Sequence, residues 1–195
     1  MEYLSLIISA LALGLSGLTA WLTLLRKGEL KITQPTPLLL DYEKGFARVS
    51  FYTMIYSSAF RGQIIESMHV IVKQNNIEHQ FNNWAYSQDS RAYASGCYIK
   101  PEGVPQNHQF ITSEDNIVFN TGDITIEVYA RLPSKTEAHL LKSIKLTIPE
   151  NQQQSCRTKS LSLMLEWEPN KQIYGLRNSK NPTEIMLGLL KRINS

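Results

Sequence analysis

The longest apolar stretch of the chain is also its first. From Tyr3 to Leu25 no residue carries a charge, and Arg26 and Lys27 close the run. A helix of that length rises ~34 Å, enough for a hydrocarbon core of ~30 Å. Beyond it the period becomes that of strands. Val49, Phe51, Thr53 and Ile55 alternate with Arg48, Ser50, Tyr52 and Tyr56, and Ile64, Met68, Val70 and Val72 follow within a second run. Ile124, Ile126, Val128 and Ala130 point one way from a strand whose other face carries Thr125, Glu127, Tyr129 and Arg131. Ile144, Leu146 and Ile148 make the next strand, and Leu161, Leu163, Leu165 and Trp167 line one face of a late one. Alternation rich in β-branched and aromatic residues is the strand signature. Such strands, separated by turn residues, predict an all-β domain: an antiparallel immunoglobulin-like β-sandwich preceded by one transmembrane helix.

Two segments depart from this pattern. Residues 87–109 hold Ser90, Gly96, Pro101, Gly103 and Pro105 and keep no period. They read as a long loop with a short strand around Cys97–Ile99, and binding residues often sit on such loops. At the C-terminus, Asn181-Pro182 fits a helix cap followed by proline at the first helical position. Ile185, Met186, Leu189, Leu190 and Ile193 then line one side of a short helix. That stripe needs a cover: its own domain, the membrane surface or a partner. The organisation expected is an anchor over residues 1–27, a β-domain over 28–180 and an amphipathic helix over 181–195.

The N-terminal run reads better as an anchor than as a cleaved signal. Its n-region, Met1-Glu2, has no basic residue, and Leu18 sits where cleavage after Ala20 would want a small side chain. Arg26, Lys27 and Lys31 follow the span and none precedes it, which places the C-terminal domain in the cytoplasm by the positive-inside tendency. Tyr3 and Trp21 suit the two interfaces. Ser5, Ser9, Ala12, Ser16 and Thr19 recur at helical spacing. Small side chains in lipid let a second helix approach closely, so this stripe is a candidate packing face for self-association or for another protein's helix; equally, such stripes arise by composition alone.

Composition narrows the function. All 20 Lys and Arg lie after the span, together with all of the 17 acidic residues except Glu2, so the domain is nearly balanced. A nucleic-acid binder would need a concentrated basic face. Cys97 and Cys156 belong to no metal-ligand or CxxC spacing; they are free thiols in a cytoplasmic domain, or one disulfide in an exported one. His69, His79, His108 and His139 are scattered without zinc spacing, and 113–116 (SEDN) lacks the ligand pattern of a calcium loop. Neither a phosphate-cradling glycine loop nor a nucleophile elbow is present. No metal, cofactor or small-molecule substrate is implied. Trp84, Tyr86 and Tyr93 could form an aromatic surface, or be core and edge aromatics.

Residues 46–56 (FARVSFYTMIY), 62–66 (GQIIE) and 69–72 (HVIV) together resemble a pattern in uncharacterised bacterial membrane proteins. In those proteins an N-terminal transmembrane helix precedes an immunoglobulin-like domain. The resemblance implies a fold and a topology, and no activity. With the anchor and the lack of catalytic spacing, the expected function is a membrane-tethered interaction module that positions or senses a protein partner. A membrane-acting effector, whose helix assembles and perturbs the bilayer, and a membrane-anchored hydrolase are the other two classes.

Overall fold

The computed structural model describes residues 2–25, 28–58, 62–88, 91–115, 117–133, 135–159 and 161–177. Helix α1 spans Glu2–Ala20 and runs into one π-helical turn, Trp21–Leu25. The rest of the described chain is mostly strand, and every strand pairing in it is antiparallel. The larger sheet is built from β1 (Leu30–Ile32), β2 (Leu38–Glu43), β3 (Phe46–Ser57), β7 (Asn83–Gln88), β8 (Arg91–Tyr93), β10 (Val104–Ile111), β13 (Leu163–Glu168) and β14 (Ile173–Leu176). Its order is β14-β13-β2-β3-β10-β7-β8, with β1 alongside the end of β3. The smaller sheet contains β5 (Ser67–Gln74), β6 (Ile77–Phe81), β11 (Gly122–Arg131) and β12 (His139–Ile148), in the order β12-β11-β5-β6. A third, two-stranded ribbon joins β4 (Gln63–Ile65) to β9 (Cys97–Ile99).

Local chemistry explains the hairpins. Glu43 pairs with Phe46 across a two-residue turn, Lys44-Gly45, with φ of 52° and 88°. Gln74 pairs with Ile77 across Asn75-Asn76, with φ of 51° and 62°. Two consecutive positive φ values give the turn whose twist matches that of paired strands, and Gly and Asn are residues that tolerate them. Between β6 and β7 only Asn82 intervenes: Phe81 pairs with Val70 in the smaller sheet, and Asn83 with Ile111 in the larger. The chain thus changes sheets at a corner, not through a loop.

The alternating positions expected to face inward do so. Val49, Phe51 and Ile55 of β3, Ile124, Ile126, Val128 and Ala130 of β11, and Ile144, Leu146 and Ile148 of β12 belong to one buried cluster shared by both sheets. Three expectations need correction. Residues 87–109 are not a long loop: besides the expected short strand, β9, they hold β8 and most of β10, and β10 sits in the middle of the larger sheet. Its inward positions include Gln106 and His108, which conceal the strand period. Ile64 does not join Met68, Val70 and Val72; it belongs to β4 and faces outward. A short helical segment, 3₁₀ over Glu150–Gln152 and then α2 (Gln153–Arg157), links β12 to β13 where no helix was expected. The C-terminal helix, with Ile185, Met186, Leu189, Leu190 and Ile193, lies outside the described residues.

The outer face of the larger sheet is also closed in places. Leu39 and Met164 are only 2 % and 1 % exposed, yet neither belongs to the central cluster. Leu38 and Leu40, their neighbours Leu163 and Leu165, and the strand period place Leu39 and Met164 on the opposite side.

Candidate functional site

Among the described residues, one helix, Tyr3–Thr23, is long and apolar enough to cross a membrane. Every side chain from Tyr3 to Leu22 is exposed. Three of its hydroxyl groups bond back to the helix's own carbonyls. Ser9 Oγ donates to the carbonyl of Ser5 at 2.9 Å, Thr19 Oγ1 to that of Leu15 at 2.8 Å, and Thr23 Oγ1 to that of Thr19 at 2.8 Å. Such back-bonding lets a polar side chain sit in hydrocarbon without an external partner. Of the candidate packing stripe, Ser5, Ser9, Ala12, Ser16 and Thr19 all lie on this helix and are all exposed. What they offer a second helix is small size more than free donors.

The helix is joined to the sheet closely. Glu29 N donates to Ser58 Oγ at 2.8 Å, and Ser58 N donates back to Glu29 O at 2.9 Å. Gln63 Nε2 reaches Gly28 O at 2.7 Å and Ser57 Oγ at 3.0 Å. From Leu30 the chain is already paired with Ser57 as β1. Only Arg26 and Lys27 separate the π-turn from this knot in the sequence. The end of β3, the β4–β9 ribbon and the start of β10 therefore lie at the helix-proximal end of the domain. Ile64 and Tyr98, cross-strand partners on that ribbon, present 52 % and 58 % of their surface to solvent there. A Cβ on Gly62 would collide with the hydroxyl and ring of Tyr98, so glycine is what makes room for that ring.

Inside, a column of rings crosses the larger sheet. Tyr93 stacks on Tyr86 at 5.2 Å between centroids, and Tyr86 on Trp84 at 5.0 Å. His108 lies against Trp84, Tyr86, Phe51 and Phe110 at 5.9–6.5 Å. Trp84 Nε1 donates to His108 Nδ1 at 3.2 Å. Complete burial pulls the pKa of this imidazole down to about 3 and so keeps it neutral. A general base works best with a pKa near the operating pH, so this packed ring is poorly tuned for that work. Trp84 and Tyr86 are core residues, and Tyr93 is the exposed end of their stack. Beside them Gln106 exchanges 3.4 Å contacts with the Cys97 thiol, whose pKa burial pushes up.

The other histidines with a described partner are at the periphery. His79 Nδ1 is 3.4 Å from Glu114 Oε2 on a partly exposed surface. His69 stacks flat on Tyr129 at 5.1 Å, and partial burial lowers its pKa. His79, the cross-strand partner of Val72, is on the inward side of β6, whereas His69 belongs to the outer face of the smaller sheet. There Lys73 Nζ bridges Glu78 and Glu127 at 3.1 Å each, and Tyr129 Oη donates to Glu127 at 2.8 Å. Glu78, then Glu127, raises the Lys73 pKa. Cys97 and Cys156 are both free and buried; Cys97 sits on the ribbon at the helix-proximal end, and Cys156 by Tyr42, near the β2–β3 hairpin. Among the described residues, no group of His, Cys, Asp and Glu side chains is placed to hold a metal ion.

No protein-family model matches the chain, and neither does any curated protein. Among solved structures it is similar to a Bifidobacterium adolescentis GH3 beta-glucosidase, with 12 % identity and a TM-score of 0.29. That match covers 62 % of this chain and 17 % of the glucosidase. A likeness so loose bears on neither fold nor activity.

Proposed function

We propose that the chain is a membrane-tethered, non-catalytic interaction module whose β-domain positions or senses a protein partner at the bilayer. The observation that carries this reading is the join: an exposed apolar helix of membrane-spanning length leads within a few residues into a hydrogen-bonded knot on the sheet. A domain held that way works where the membrane is.

The strand order supports an immunoglobulin-like sandwich. With β2, β3, β10 and β7 taken as A, B, E and D, and β12, β11, β5 and β6 as G, F, C and C′, the two sheets follow the immunoglobulin order. Neither B nor F carries a cysteine, so the inter-sheet disulfide of antibody domains has no counterpart. The C-terminal hairpin β13–β14 then adds to the free side of A. Orientation follows the basic residues after the span, with the β-domain in the cytoplasm. Protease added to intact spheroplasts should leave it whole; digestion from outside would reverse that assignment.

The partner meets the open outer face of the smaller sheet, where His69, Lys73, Glu127 and Tyr129 form an ordered polar surface. Tethering raises the effective concentration of a module towards other membrane components, so the contact should depend on the anchor. A photo-crosslinking residue at Ile71 or Tyr129 in cells is expected to give a discrete protein adduct, lost when residues 3–25 are deleted. Adducts indifferent to that deletion, or none with either probe, would overturn the reading.

The span itself is proposed to associate through Ser5, Ser9, Ala12, Ser16 and Thr19. Ala12→Ile with Ser16→Ile should weaken association in a membrane reporter assay by ~1–2 kcal/mol, whereas Leu11→Ile with Leu15→Ile should matter less. Equal effects of the two pairs would leave the stripe without a role.

A further inference from the structure

We propose that the C-terminal segment, residues 181–195, docks on the outer face of the larger sheet of its own chain and seals it with the stripe Ile185, Met186, Leu189, Leu190 and Ile193. The argument goes beyond the tethered-module reading and does not depend on it. An outward-facing position on an uncovered sheet is wetted on one side. Yet a row of adjacent positions across three strands is dry: Met164 pairs with Leu39, and Leu39 with Ser50, at 1 %, 2 % and 1 % exposure. Asn107, on the next strand and one row along, is buried too. Ser50 Oγ and Asn107 Oδ1 find no hydrogen-bond partner among the described residues.

The sequence carries the same mark. Leu38-Leu39-Leu40 and Leu163-Met164-Leu165 are continuous apolar runs, the pattern of strands buried on both faces, whereas a strand with one wet face alternates. The occupant is named by where the chain goes. Arg177 N donates to Met164 O at 2.9 Å, so the last described residue leaves the sheet beside the dry row. Eighteen residues remain, 178–195, by far the longest part of the chain outside the described residues. A helix is ~10–12 Å across with its side chains, and three neighbouring strands span ~10 Å, so one helix covers the row from Met164 to Ser50. The apolar stripe of that segment is what such a face requires, and its charged residues Glu184, Lys191 and Arg192 fall on the other side.

The full-length chain in detergent or nanodiscs tests this directly. Photo-methionine incorporated only at position 164 changes little in the side chain. Irradiation is expected to give an intramolecular adduct within the peptide bearing residues 185–193. Adducts to a second copy, to lipid or only to residues 28–177, or no adduct, would overturn the proposal. Hydroxyl-radical oxidation gives a second readout with an internal control, because Met68 lies in the central core. In the Leu189→Asp/Leu190→Asp chain, Met164 should oxidise several-fold faster while Met68 stays protected. Met164 equally protected in both chains would mean that something else covers the sheet, and Met164 freely oxidised in the unaltered chain would mean that nothing does. Where Met68 is also exposed in the double variant, the adduct position alone decides.

Discussion

Acidification from pH 7 towards pH 3 is expected to strip most of the stability from the β-domain, with His108 as a principal cause. Its ring is fully buried among Phe51, Trp84, Tyr86 and Phe110, and its pKa lies at about 3. In the unfolded chain it returns to about 6.5. Between those two values the unfolded state binds the proton that the folded state refuses. The folded pKa is depressed, so stability is intact above pH 6.5 and declines as pH falls towards 3, by ~1.4 kcal/mol per unit. Over that window the loss is on the order of 4–5 kcal/mol, against a typical domain stability of ~5–15 kcal/mol. His69, also lowered by burial, adds in the same direction. The measurement is the urea midpoint of the full chain in micelles across pH 3–7. His108→Gln has no proton to gain, so its stability should vary much less with pH, though it starts lower because the aromatic packing is disturbed. Parallel curves for the two chains would show that His108 does not govern the acid limb.

The second large effect is expected at the β2–β3 hairpin. Arg48 Nε and Nη2 donate to the two oxygens of Asp41 at 2.7 and 2.6 Å, and Nη1 reaches Glu43 at 2.5 Å. Asp41 and Arg48 are paired across the strands, and the Asp41 side chain is almost entirely enclosed. Asp41, first of all, holds the guanidinium pKa above its ordinary value. Removing the cation leaves a carboxylate enclosed without its partner, so Arg48→Met should cost ~3–5 kcal/mol. Replacing both residues removes the stranded charge along with the pair. Asp41→Leu/Arg48→Met should therefore be distinctly more stable than Arg48→Met alone, by ~1–3 kcal/mol, in a double-mutant cycle read by denaturant titration. A double variant as weak as the single would mean that Arg48 acts through packing of its stem and not through its charge.

Where one face of a strand is dry and the other wet, sequence and structure agree. β11 and β12 alternate cleanly, β3 does so except at Ser50, and their inner residues are those the pattern selects. The failures share a cause. β10 carries Gln106 and His108 on its buried face, each engaged by a specific neighbour, Cys97 and Trp84. Polarity at those positions mimics a loop, because what makes them tolerable in the core is a partner many residues away. Pro101, Gly103 and Pro105 add to the loop-like look, although Pro101 and Gly103 mark only the turn into the strand and Pro105 is its second residue. Leu39 and Met164 were visible as interruptions of alternation, and such interruptions report a second covered face. The apolar helix was plain from composition; the knot of Gly28, Glu29, Ser58 and Gln63 was not, since nothing local in those residues announces bonds across about thirty positions.

That knot sets a limit on reach. Between Leu25 and Glu29 the backbone can stretch at most ~14 Å, so the domain cannot roam on a leash as it would at the end of a long flexible linker. If the helix spans a bilayer as proposed, a binding face on the domain would sweep a shell only slightly thicker than the domain, and a soluble target deeper in the adjoining compartment would be out of range. On the proposed tethering, the domain would meet what is embedded in the bilayer, bound to its surface or brought there, and its encounters would be two-dimensional. Inserting twenty Gly-Ser residues after Lys27 would convert this close-range geometry into a long-range one while leaving every bond within the sheets in place.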